Sequence, residues 1–392
     1  MPKPTYKINR IIRSEQVLQA FMSVLRRHLP LDLQNTRITA DDLIYVLAYA
    51  SVHRLSINSA CKELEQAPSA NRFREVLARA LPERQRLQRE LNTVFRQQLP
   101  RCFLKGKRSY SLALDITLIP YHGQPHQDEK ELVRGEAKSG TTHFHGYATV
   151  SIVHDKRRYV IALRFIEAGE ESVAIVRWLL NRLKSLGLRI RRLYMDKGFC
   201  AIPVFRTLKR RKLSYVIPIP LRGKSGGVRR LFQGKASYQT TYTFRSPKYG
   251  TCSVQAAAVR RYCKGRYHRH GVKWFAYAIA GLPTGMSPRQ VFELYRQRFG
   301  IETSYRQMNQ VRARTATRNP TIRLLLVGLA FILFNLYVTL RDHLTTSPKN
   351  SSMPPTKEWL SLHRVALMLA RAIEQHWGVK QVIQHQSSYA LS

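Results

Sequence analysis

LALDITLIPY, residues 112–121, sets a single acid, Asp115, inside an otherwise apolar run whose branched side chains read as a β-strand. Two more acids stand in related settings: Asp196 in LYMDKGF (193–199) and Glu302 in YRQRFGIETSYRQMN (295–309). The first two acids are expected to close strands and the third to ride a helix. Such an arrangement gathers carboxylates from distant sequence to hold divalent metal ions beside a phosphodiester. A capped, structural Asp is the alternative for Asp115, but an unpaired carboxylate in so apolar a run is costly to bury.

Downstream, THFHGYATVSIVH (142–154) and RRYVIALRFIEAG (157–169) are again strand-like and are separated from their neighbours by polar turns. A helix follows, with Val173, Val176, Leu179, Leu183 and Leu186 along one face and Gly187 as its C-terminal cap. LRIRRLYMD (188–196) is the next strand, and CAIPVFRTLKRR (200–211) is a helix leading into the strand SYVIPIP (214–220). The order strand, strand, strand, helix, strand, with acids in the first and fourth strands, matches a ribonuclease H-like core. The expected class is therefore α/β: a mixed sheet flanked by helices, interrupted by a β-rich insertion and preceded by an all-helical domain.

Five segments follow from this reading. Residues 1–105 form a helical DNA-binding domain in which Thr39 with Asp42 and Ser56 are capping signals, and Pro68-Ser69 opens ANRFREVLARAL. The last two helices fit a helix-turn-helix carrying Asn71, Arg72 and Arg74, although a plain helical bundle reads the same way. Residues 106–220 are the first part of the core, and 221–283 are the insertion, opening on RGKSGGVRR and continuing through TTYTFRS, TCSVQAAAVRRYC and VKWFAYAIA. The second part of the core spans 284–345. Its run LLLVGLAFILFNLYVTL (324–340) is slightly short of the ~20 residues of a spanning helix and contains Asn335, so a buried core helix is expected. Residues 346–392 hold a Ser/Pro-rich linker and a terminal amphipathic helix from about Thr356 to Trp377.

Lys and Arg number 66 against 24 Asp and Glu, a formal charge of +42 spread through folded-looking segments. Double-stranded DNA is the expected partner, with no membrane role. Five cysteines without a Cys-x-x-Cys pair argue against a disulfide framework, and the start MPKPTYKINRIIRSEQ lacks the apolar core of a signal peptide, so a cytoplasmic, nucleoid-associated protein is expected. His143, His145, Cys263, His268 and His270 fit no standard zinc spacing. RGKSG is no phosphate loop, because Pro218 stands where its first Gly should. Trp274 reads as a core residue or as a platform for an unpaired base.

On the helix of Glu302, Tyr295, Arg298 and Glu302 fall on one face, to which Arg306 and Asn309 return. Tyr295, Arg298 and Glu302 have the spacing of a signature of the DDE class of insertion-sequence transposases, in which Tyr, two residues, Arg, three residues, Glu, six residues and Lys follow one another. The chain resembles that class over roughly residues 106–340. Asp196-Lys197-Gly198-Phe199 is similar to the setting of its second acid, and Asp115 with Thr117 to that of its first. The chain departs from the signature at Asn309, where the class has Lys.

The resemblance implies a transposase that cleaves the ends of a mobile element and joins the freed 3′ hydroxyl to target DNA, acting as a homodimer on DNA. It implies two Mg²⁺ or Mn²⁺ ions, with Asp115 bridging both and Asp196 and Glu302 each completing one site. Carboxylates are the hard oxygen ligands these ions prefer. Tyr295, Arg298 and Arg306 would contact phosphates or terminal bases, and Arg312, Arg314 and Arg318 stand where they could replace the charge missing at Asn309. Lys197 reads equally as a phosphate contact and as a solvated loop residue. Three other readings stay open: a repurposed descendant that binds DNA without cutting, a metal-dependent nuclease that cuts without joining, and a basic architectural protein, which would give no reason for the three acids.

Overall fold

The computed structural model describes residues 11–104, 108–154, 157–221, 225–264, 271–345 and 360–382. These divide into two compact units, one made of residues 1–94 with 307–392 and the other of residues 95–306.

The first unit is helical: α1 (Ser14–His28), α2 (Ala40–His53), α3 (Ile57–Glu63), α4 (Ala70–Ala80) and most of α5 (Arg84–Gln98) come from the N-terminal part of the chain. The expected caps form, since Thr39 and Asp42 exchange side-chain and backbone hydrogen bonds ahead of α2 and Ser56 accepts from the Ser59 amide ahead of α3. Helices α3 and α4 are joined by a short turn, with Phe73, Val76 and Leu77 buried and Asn71, Arg72 and Arg74 exposed. That division suits a helix-turn-helix and a simple bundle alike.

The chain returns to this unit through the end of α10 (Gly300–Gln310), then α11 (Pro320–Thr345) and α12 (Leu362–Trp377). Helix α11 is long and apolar enough to cross a membrane by length and composition, and its most apolar window is 94% buried. Being hydrophobic all round, it needs cover on every side, which α1, α2 and α12 help to supply. This explains a difference from the sequence reading: 284–345 was expected to complete the core, whereas residues from 307 onward divide with the N-terminal helices. Helix α12 begins later than expected, because Ser361 caps it by accepting from the Arg364 amide. Residues 346–359, including Trp359 of the expected helix, lie outside the described residues.

The second unit opens with the end of α5 and a short turn of helix, α6 (Arg101–Leu104). Its sheet comprises β1 (Ser109–Pro120), β2 (Val133–Lys138), β3 (Thr141–His154), β4 (Arg157–Ile166), β5 (Arg189–Met195), β6 (Tyr215–Pro218), β7 (Tyr238–Ser246), β8 (Gly250–Cys263) and β9 (Gly271–Ala280). The order is β2-β3-β1-β5-β6-β9-β8-β7, with β4 also pairing β3. Strand β3 is antiparallel to β1 and β4, while β5 is parallel to both β1 and β6. The run β4-β3-β1-β5-β6 is the sheet of a ribonuclease H-like fold. Helix α7 (Ser172–Ser185) packs on β3 and β4, and α8 (Ile202–Arg210) leads from β5 to β6. Helix α7 carries the expected face, and Gly187 takes the left-handed φ of 68° that its cap requires.

Two features differ from the sequence reading. Strand β2, whose sequence VRGEAK alternates charged residues with Val, Gly and Ala but holds no large apolar side chain, was not foreseen. The expected insertion is strand-rich, but it does not fold apart: β9 pairs antiparallel with β6, so β7 to β9 prolong the same sheet.

Candidate active site

The parallel β1–β5 ladder ends at the pair Leu114↔Met195. The next residue on each strand is one of the two acids. Asp115 therefore lies within β1, which runs on to Pro120 against β3, and it does not close the strand as its sequence context implied. Asp196 does follow the last residue of β5 and opens a single 3₁₀ turn, Lys197–Phe199, pinned by the fully buried Phe199 ring.

Strand alternation sets which way the acids point. Ala113 and Tyr194, two residues before each acid, sit in one cluster with Val216, Tyr277, Ile279, Val291 and Tyr295. Asp115 and Asp196 thus share the sheet face covered by α9 (Pro288–Arg296), which supplies Val291 and Tyr295. Leu112, Leu114, Leu193 and Met195 alternate to the opposite face and are fully buried.

What meets the acids is Arg298. Its Nη2 lies 2.8 Å from Asp115 Oδ1 and 3.5 Å from Asp196 Oδ1. Nη1 donates to the Tyr295 hydroxyl at 3.1 Å, and that hydroxyl donates to the Met195 carbonyl at 3.3 Å. The Asp115 and Arg298 side chains are each only 6% exposed, whereas Asp196 is 36% exposed. Asp115 also accepts from the Ile116 amide at 2.9 Å. Burial pushes its carboxyl up to about 6 and Asp196 adds to that rise, while Arg298 pulls the other way. Burial works to lower Arg298, but Asp115, Tyr295 and Asp196 overcome it and hold the guanidinium charged.

Across the β1–β3 ladder Asp115 faces Thr149, whose hydroxyl shares a 2.6 Å hydrogen bond with that of Tyr305. Burial raises the Tyr305 phenol well above its ordinary value, keeping it neutral. Thr149 and Tyr305 thus wall the site beside Asp115. Neither was foreseen, although Tyr305 stands three residues after Glu302, on the same helix face.

The helix of Glu302 is not one continuous α-helix. Helix α9 ends at Arg296, residues Gln297–Phe299 make a 3₁₀ turn, and α10 starts at Gly300. A 3₁₀ turn advances 3.0 residues per turn, so the even 3.6-residue face expected from Tyr295 to Asn309 is offset at Arg298. Glu302 lies in α10, and its side chain is outside the described residues.

The other candidates fall as follows. Lys197 and Arg306 are exposed, in keeping with contacts to an outside anion. Asn309, Arg312 and Arg314 belong to the helical unit; Asn309 accepts from Arg312 Nε at 3.2 Å, and the Arg314 amide donates to the Leu55 carbonyl at 2.9 Å. Trp274 is partly buried and stacks on Phe232, centroids 5.6 Å apart at 17°, which favours the core reading. Lys235, Arg260, Arg261 and Arg289 line a surface cavity of about 750 Å³, with Glu293 paired to Arg261 at 3.0 Å. All five cysteines are free, and His268 and His270 lie outside the described residues. Among the described residues no three His, Cys, Asp or Glu side chains form a metal cluster.

The two carboxylates nevertheless suit a cation, because both already reach toward one: the Arg298 guanidinium stands between them. Hard oxygen donors converging on a positive charge are the chemistry a divalent ion requires.

The family model of the transposase DDE domain matches residues 107–336. Among solved structures, the chain is similar to piggyBac transposase, seen by cryo-EM in a synaptic complex with hairpin DNA, at 11% identity with a TM-score of 0.61, covering 94% of this chain and 81% of that one. At that identity the likeness is one of fold. Kluyveromyces polysporus Argonaute with a guide RNA also matches, at 11% identity over 85% of this chain and 41% of that one, but its TM-score of 0.25 carries no weight. No curated protein matches the chain.

Proposed function

The chain belongs to the family of transposases with a DDE domain, and from that premise we propose that it cleaves the ends of a mobile element and joins the freed 3′ hydroxyl to target DNA by metal-dependent phosphoryl transfer. The observation that carries this reading is the convergence of Asp115 and Asp196 on one positive charge, at 2.8 and 3.5 Å, where the β1–β5 ladder ends. Asp115, Asp196 and Glu302 are the residues that would hold Mg²⁺ or Mn²⁺, and a bound ion pair supplies an activated attacking oxygen and a stabilised leaving oxygen. The protein's own contribution is position. Asp115 is fixed by the Ile116 amide and by the β1–β3 ladder, and Tyr295 is tied to the Met195 carbonyl, so the floor of the site is set before DNA arrives.

Lys197 and Arg306, both exposed, would steer the phosphate backbone, as would Asn309, Arg312 and Arg314. The cavity lined by Lys235, Arg260, Arg261 and Arg289 supports a further contact of the β7–β9 region with end DNA. The formal charge of +42 supports DNA as partner, as does the fold shared with a transposase that binds hairpin DNA. We assign the DNA-bound state to a homodimer, the helices before residue 106 to DNA binding, and the protein to the cytoplasm with the nucleoid.

The test is Asp196→Ala on end DNA with Mg²⁺. Binding is expected to persist while end cutting and strand joining both fall at least about a thousandfold, as expected when a group required for charge stabilisation is removed. Joining at the wild-type rate would overturn the mechanism. A wild type that binds but never cuts is a repurposed DNA-binding protein, and one that cuts without joining is a nuclease.

A further inference from the structure

We propose that Arg298 is a stand-in cation, neutralising Asp115 and Asp196 while metal is absent and giving up that place only when a DNA phosphate offers its guanidinium another anion, so that metal loading is gated by DNA. This rests on the metal-dependent reading above and goes beyond it by assigning the order in which the site assembles.

Geometry carries the argument. Arg298 Nη2 is the atom that both carboxylates approach, at 2.8 and 3.5 Å. Mg²⁺ demands its oxygens at about 2.0–2.1 Å, so ion and guanidinium cannot share the gap. They also repel each other there, since two cations a few ångströms apart in a buried site interact strongly. Arg298 is held as a built part of the site: its side chain is 6% exposed, Nη1 donates to the Tyr295 hydroxyl, and the guanidinium carbon lies 5.7 Å from the centre of that ring.

Withdrawal without a replacement would leave a buried charge unpaired and is correspondingly unfavourable. A phosphodiester entering the site supplies the replacement, because a guanidinium pairs with phosphate as well as with carboxylate. The backbone provides a joint for the exchange. Arg298 sits in the 3₁₀ turn between α9 and α10, with Gly300 directly after it, while Val291 and Tyr295 anchor α9 in the sheet cluster. Among the described residues Arg298 Nε has no hydrogen-bond partner, leaving one donor uncommitted for an incoming anion. Linkage then runs both ways: DNA strengthens metal binding, and metal strengthens DNA binding by the same factor.

The experiment is a Mn²⁺ titration of the full chain followed by electron paramagnetic resonance, with thermal melting in parallel, on the wild type, Arg298→Lys, Arg298→Gln and Arg298→Gln/Asp196→Ala. Without DNA, Arg298→Gln is expected to bind Mn²⁺ at least about tenfold more tightly than the wild type, within the usual range of coupling between sites. Arg298→Lys, which keeps the charge, should stay near the wild type, and the double variant should lose the gain. A duplex of the element's own terminal sequence should tighten Mn²⁺ binding by the wild type and leave Arg298→Gln nearly unchanged. Should Arg298→Gln melt early, Mn²⁺ is expected to raise its melting temperature more than that of the wild type; failure of Mn²⁺ to do so counts against the exchange.

Equal or weaker Mn²⁺ binding by Arg298→Gln overturns the proposal. If that result accompanies wild-type end cutting, the gate falls and the transposase mechanism stands. If Arg298→Gln binds Mn²⁺ tightly and no form cuts DNA, the cation exchange stands and the mechanism falls.

Discussion

Asp115 is a carboxylate with a cation beside it whose pKa nevertheless rises, because desolvation outweighs the pull of Arg298. Its value of about 6, against 3.8 for an ordinary Asp, means that between those pH values the folded chain holds more protons at this site than the unfolded chain. Stability therefore falls as pH rises through that window, the reverse of the usual salt-bridged carboxylate. The expected size is on the order of 2–3 kcal/mol for a shift of about two units in a buried group. Asp115→Asn has no such proton, so the wild-type unfolding free energy minus that of the variant should decline between about pH 4 and pH 6 and level off above. Denaturant melts at stepped pH without divalent metal measure it directly, and a difference flat across the window would contradict this account.

At the scale of elements, the sequence was most readable where apolar side chains had to be buried. The apolar runs of β1 and β3, the single face of α7 and the all-apolar run of α11 each state a destination. Asp115 was legible because a lone charge stands out in an apolar strand, whereas Asp196 follows a strand that also carries Arg189, Arg191 and Arg192. Hidden features were set by tertiary contact. VRGEAK becomes β2 only because the start of β3 offers it an edge, and the tightening at Gln297–Phe299 lies where Arg298 reaches the acids, which no helical period encodes. The Arg298 bridge was invisible because spacing reports which face a residue shares, not what that face meets.

Packing at one element makes a further prediction. A Cβ built on Gly328 of α11 would stand 2.6 and 2.7 Å from the two methyls of Leu91, itself 1% exposed on α5. Alanine gains up to about 1 kcal/mol of helix propensity over glycine, whereas overpacking a well-filled core costs about 1–3 kcal/mol. Gly328→Ala is thus expected to lower unfolding stability by about 1 kcal/mol, and Gly328→Val by more. Equilibrium unfolding in urea checks the sign, and a stabilised alanine variant would mean that Leu91 moves aside freely.

For the whole molecule the deciding quantity is charge. A formal +42 on 392 residues raises affinity for any polyanion, whatever the site does, so binding alone says little about chemistry. The two contributions separate by their response to salt. Each phosphate neutralised releases counterions, so the logarithm of affinity for arbitrary duplex DNA should fall linearly with the logarithm of salt, with a slope near −0.9 per contact for about as many contacts as the basic surface makes. Asp196 is an acid that contributes no counterion release, so Asp196→Ala should keep that slope and lose only the reaction. Arg306→Ala and Lys197→Ala remove exposed cations, and each is expected to make the slope shallower by about one unit if it meets a phosphate. Fluorescence anisotropy across a salt series measures all four proteins in one format. A slope unchanged in both cation variants would remove Lys197 and Arg306 from the DNA path, and a slope altered in Asp196→Ala would mean that the acid shapes the binding surface as well as the chemistry.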